Sequence, residues 1–199
     1  MSDYPYDLGP HTRAITTSSS EAQMWFDRGL NWVFGYHHEE AMACFEKALA
    51  ADASCAMANW GLAYCIGPNY NKPWEAFQGD DLLETLASAR GWLAAADEGP
   101  ASDVERALIQ ALKSRYSVGE PAEDLYEWST DYAAAMREVS AAFPADNEVT
   151  TLFVEAMMNR TPWQMWDPRT GDPVEDADTY ECRELLERAL QAVEEAGPA

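Results

Sequence analysis

The residues best suited to chemistry stand at positions 37–40, where His37-His38-Glu39-Glu40 sets two imidazoles beside two carboxylates. Imidazole and carboxylate are ordinary ligands of zinc and related metals. Successive side chains on a helix diverge by about 100°, so His37 and His38 cannot face one ion, whereas His37 and Glu40, at i and i+3, can. Cys55 and Met57 follow, and soft sulfur ligands suit copper(I). None of the four cysteines, Cys44, Cys55, Cys65 and Cys182, stands in a C-x-x-C pair, and the spacings match no zinc template. His37, Glu40 and Cys55 are therefore weak metal candidates, with a turn-and-core role expected instead. The chain has no Gly-rich phosphate loop, and three histidines, two of them adjacent, do not make a serine–histidine–acid triad. No cofactor is expected.

The elements that must position these residues read as helices throughout. Pro5, Gly9 and Pro10 keep residues 1–20 out of a helix, as an extended arm. Ser20 with Gln23, or Ser18 with Glu21, forms a capping box for a helix over 21–34, which Gly35 ends. A second helix opens at His37, with Glu39 and Glu40 at the positive end of its dipole, and runs to about residue 50. A third runs over 54–66 and is stopped by Gly67-Pro68-Asn69-Tyr70-Asn71-Lys72-Pro73, a loop of the kind that commonly carries function. Further helices are predicted over 82–97, 103–116 (opened by a Ser102/Glu105 capping box), 122–142 and 148–159. A long loop, TPWQMWDPRTGDPVEDAD (161–178), precedes a last helix over 179–195. Eight helices and no credible strand make an all-α chain, with 21–195 read as a single domain.

The helices pair with a period. Trp25, Gly29 and Trp32 recur at helical spacing, as do Ala41, Phe45 and Ala48, and the cycle restarts at Ala56, Leu62 and Ala63. These positions and the roughly 34-residue period resemble the tetratricopeptide repeat, although Ala53 stands where the repeat usually has a proline. The resemblance implies a short right-handed α-solenoid of three to four antiparallel helix pairs. The stretch HHEEAMACFEKALAADASCAMANWGLAYCIGPNYNKPW, with the later TPWQMWDPRTG, further resembles the N-terminal part of a poorly characterised group of larger tetratricopeptide-like proteins. By that resemblance the chain is a natural short version or a fragment, and a fragment would leave an apolar edge on the eighth helix.

Carrying the repeat's register onto the chain implies a concave groove. It would draw Phe26, Leu30 and Val33 from the first helix and Met57, Trp60 and Tyr64 from the third, with Asn69 and Asn71 at its end. Thr151, Glu155, Met158 and Asn159 would come from the seventh, and Gln110 and Lys113 from the fifth. An aromatic centre with a few polar hydrogen-bonders suits a peptide or small ligand. The competing expectation is that Trp60 and Tyr64 are ordinary core, as aromatic stripes at helical spacing usually are.

Charge narrows the partners. The chain has 35 acidic residues against 13 basic ones, a formal net charge of −22. Such a body repels phosphate backbones and anionic lipid surfaces, so neither nucleic acid nor membrane is an expected partner. No segment approaches the ~20 apolar residues of a membrane span, and the N-terminus lacks the pattern of a signal peptide. A cytoplasmic location with four reduced thiols is expected. Two functions follow. One is an interaction module that binds a peptide or partner domain, or docks a missing C-terminal half, through the groove. The alternative is half of a larger metal-binding protein or enzyme, with His37, Glu40, Asn69, Asn71 and Glu155 converging on residues absent from this chain.

Overall fold

A computed structural model describes residues 4–117 and 125–196. Those residues form α1 (Ser20–Phe34), α2 (His38–Ala51), α3 (Ala56–Ile66), α4 (Gly79–Glu98), α5 (Asp103–Lys113), α6 (Tyr126–Ala142), α7 (Asn147–Met158) and α8 (Thr179–Ala196). Short 3-10 turns cover Trp74–Ala76 and Ser114–Tyr116. The described residues contain no strand, only isolated bridges pairing Asn69 with Lys72 and Trp166 with Pro173. The fold is all-α. The start of the sixth helix expected near Ala122 lies outside the described residues. At α1 the cap is Ser19, whose side chain accepts from the Ala22 N–H, rather than Ser18 or Ser20.

Where the sequence reads 21–195 as one domain, the packing groups the chain into two compact units. The first comprises the described residues up to Gly67 with Thr85–Ile109. The second comprises Pro68–Glu84 with the described residues from Gln110 onward.

In the first unit α1 pairs with α2, and α2 with α3. The Phe45 ring is the reason these helices can meet. A Cβ on Gly29 of α1 would lie 2.5 Å from Phe45 Cε1, and one on Gly61 of α3 would lie 2.6 Å from Cε2. The ring is thus clasped between two bare backbones, and neither helix can carry a side chain at that point without backing away. Gly61→Ala is expected to cost ~1–3 kcal/mol by overpacking. Gly91→Ala, in α4 where a Cβ meets nothing within 4 Å, is expected to be neutral or stabilising. Urea melts of the two variants check this, and equal stabilities would refute the clasp.

The arm is stitched to this unit. Gln23 reads the backbone of the arm twice, donating to the Arg13 carbonyl (2.8 Å) and accepting from Ile15 N–H (3.0 Å). Asp27 accepts from Arg13 N–H and from the Thr12 hydroxyl. Thr16 donates its N–H and hydroxyl to Glu105 of α5. Glu105 also closes the capping box, accepting from Ser102 N–H at 2.6 Å. Burial would raise the Glu105 pKa, but these hydrogen bonds outweigh it and hold the carboxyl below the usual range.

In the second unit α6 pairs with α7, and α7 with α8. Trp74 fills the unit's aromatic centre, edge-on to Trp128 (5.6 Å between centroids) and to Tyr116 (6.1 Å). Asp146 caps α7 by accepting from the N–H groups of Glu148 and Val149.

Candidate functional site

The residues expected to line one groove divide between the two units. Phe26, Met57, Trp60 and Tyr64 belong to the first, and Asn69, Asn71, Lys113, Glu155 and Asn159 to the second. All four residues of the first unit are buried, Trp60 with only 1% of its surface exposed. Trp60 stacks on Tyr64 with ring centroids 5.2 Å apart and planes at 30°. This aromatic stripe is core, which corrects the expectation of an open aromatic wall at these positions. The physical reason lies in α3 itself. From Ala56 to Cys65 every residue is buried, so the helix has no face turned to solvent.

The metal candidates have structural roles. His37 is the N-cap of α2, its Nδ1 accepting from Glu40 N–H at 3.3 Å, so the spacing that brings His37 near Glu40 is that of a cap. Cys55 is fully buried at the start of α3, and burial pushes its thiol pKa up, away from the thiolate a metal needs. No group of three or more histidine, cysteine or acidic residues among the described residues is placed to hold a metal ion.

In the second unit the two asparagines form a turn. Asn69 Oδ1 accepts from the N–H groups of Asn71 (2.9 Å) and Lys72 (3.1 Å), fixing the loop by Asx-turn chemistry. Lys113 donates to Gln110 Oε1 one turn back on α5.

Glu155 and Asn159 do come together, one turn apart at the end of α7, and they meet two residues the sequence did not single out. Asn159 donates its amide to Glu155 Oε1. Arg115, 1% exposed, approaches Glu155 Oε2 at 3.6 Å and lies over the Tyr132 ring, 4.1 Å from its centroid. The Tyr132 hydroxyl is buried without a hydrogen-bond partner among the described residues, and burial pushes its pKa well up. The cluster joins α7, α6 and the turn after α5 into a polar node beneath the surface.

Two exposed features of this unit stand out among the described residues. The first is an aromatic pair. Tyr70, from the Asn69–Asn71 turn, packs at 5.2 Å and 44° against Trp163, from the loop after α7. Trp163 is 70% exposed and sits at φ 63°, a left-handed conformation uncommon for a bulky residue. Both loops stood out in the sequence, but nothing local signalled that these two rings meet.

The second feature is α8. It buries Thr179 and Cys182, the Cys182 thiol facing the Val154 carbonyl of α7. Its Leu185, Ala189 and Ala192 line a groove of ≈ 370 Å³ with Phe153, Pro144 and Arg137. On the adjoining face Leu186, Leu190 and Val193 stand in solvent, 36%, 64% and 55% exposed. Arg137 of α6 braces the start of the helix with a two-pronged ion pair to Glu181. No described helix is long and apolar enough to cross a membrane.

No family model matches this chain, and neither a curated protein nor a solved structure matches it.

Proposed function

We propose that the chain is a tetratricopeptide-like interaction module that docks a helical segment of a partner protein on the apolar face of α8. The observation that carries this reading is the stripe Leu186, Leu190 and Val193, at i, i+4 and i+7, left in water beside the groove lined by Leu185, Ala189 and Ala192. Apolar residues thus run around more of α8 than α7 covers. A stripe of this spacing is what an amphipathic helix offers a second helix. Covering one such side chain is worth ~1.5–3 kcal/mol. The pairing of α1 with α2 and of α6 with α7, and the ring of Phe45 set between Gly29 and Gly61, support the repeat-like reading.

The partner's charge follows from the chain's own. At −22, a second copy is repelled, and a helix with basic flanks is attracted. Selection from a displayed library of helical peptides tests this. Enriched peptides should carry an apolar stripe between basic residues, and Leu190→Glu should weaken them about tenfold or more. The helical circular dichroism and stability of this variant should stay within about 0.5 kcal/mol of the parent, since the side chain is exposed. Peptides that bind Leu190→Glu as well as the parent would overturn the docking face.

A further inference from the structure

The geometry points to Tyr70 and Trp163 as a cation-accepting aromatic site that takes an arginine or lysine side chain of a peptide segment. The two rings meet at 44°, so they form a tilted notch rather than a closed stack, and Trp163 keeps most of its surface in water. The negative face of an indole attracts a guanidinium or ammonium group more strongly than any other side-chain ring.

The chain uses this chemistry repeatedly. Arg28 and Lys47 lie over Trp25, at 4.5 and 4.3 Å from the ring centroid. Lys72 lies over Phe77 at 3.9 Å, and Arg183 over Tyr180 at 5.5 Å. Among the described residues no basic side chain lies over Tyr70 or Trp163. The most exposed large hydrophobic side chain of the described residues is therefore a cation acceptor with no cation.

The charge around it selects the occupant. The loop that carries Trp163 holds Asp167, Asp172, Glu175, Asp176 and Asp178; Asp167 is paired with Arg169 at 3.3 Å and Asp178 with Arg160, which leaves Asp172, Glu175 and Asp176 to set the local sign. A nucleic-acid base could stack on the same rings, but its phosphates would meet this acidic loop. A basic peptide gains from both the rings and the field. This site uses residues distinct from the α8 face, so either can fail without the other.

Fluorescence anisotropy with a labelled peptide of arginines spaced by Gly-Ser, in 150 mM salt, tests the proposal. The control peptide carries uncharged citrulline in place of arginine. The parent should bind the arginine peptide and not the citrulline one. Trp163→Ala should weaken binding about fivefold, and Trp163→Phe should fall between the two. Tyr180→Ala, which removes another exposed ring, should stay within about twofold of the parent. Thermal melting separates any loss of fold from loss of the ring, with the phenylalanine variant keeping the packing on Tyr70. Equal binding by the parent and Trp163→Ala would mean that the acidic field alone attracts the peptide, and would overturn the site. Equal binding of the citrulline peptide would overturn its preference for cations.

Discussion

Trp60→Ala is expected to lower the free energy of unfolding by ~3–5 kcal/mol. That is a large part of the ~5–15 kcal/mol available to a typical domain. The reason is the burial of the indole in the core of the first unit, stacked on Tyr64 within a helix whose flanks are buried on every side. Truncation there opens a cavity that α3 cannot close by turning, because Gly61 beside it is pressed against the Phe45 ring. The Trp60 N–H has no hydrogen-bond partner among the described residues. Trp60→Phe therefore removes a buried donor along with part of the ring, and is expected to cost less than half as much. Urea denaturation gives the free energies. Acrylamide quenching of the parent and of Trp60→Phe gives the exposure of this one indole. A cost below about 1 kcal/mol for Trp60→Ala, with Trp60 readily quenched, would return the residue to an open groove wall.

The helices were legible in the sequence because their signals are local. Pro5 and Pro10 keep the arm extended, Ser102 and Glu105 cap α5, and the small–aromatic–small spacing of Ala41, Phe45 and Ala48 marks the buried face of α2. The aromatic stripe of α3 was misleading for an identifiable reason. A repeat register assigns one face of a helix to a groove, but AMANWGLAYCI is apolar nearly all round, and such a helix is buried all round. His37 and Glu40 looked like a ligand pair because a cap and a metal site share the i, i+3 spacing. What remained illegible is long-range. Arg115 meets Glu155 across 40 positions, and Tyr70 meets Trp163 across 93, so no window of sequence contains either pair.

Glu155→Leu is expected to cost ~3–5 kcal/mol, and Arg115→Met added to it is expected to restore much of the loss. Arg115 is held inside the second unit with its guanidinium 3.6 Å from Glu155 Oε2 and over the Tyr132 ring. Removing the carboxylate takes this ion pair away from a buried charge that lies over the Tyr132 ring, and desolvation then outweighs what the ring returns. Replacing both ends removes the charge along with its partner, so the penalty disappears and apolar packing replaces it. The node joins α6, α7 and the turn after α5, and Asn159, bonded to Glu155, leads directly into the loop that carries Trp163. The single variant is therefore expected also to loosen that loop, and the double variant to tighten it only in part, because the Asn159 contact is not restored. Denaturant melts of both variants, with limited proteolysis at Arg160 and Arg169 as the readout of the loop, separate these effects. If Glu155→Leu melts like the parent, the Arg115 charge does not depend on Glu155, and the node does not hold the loop.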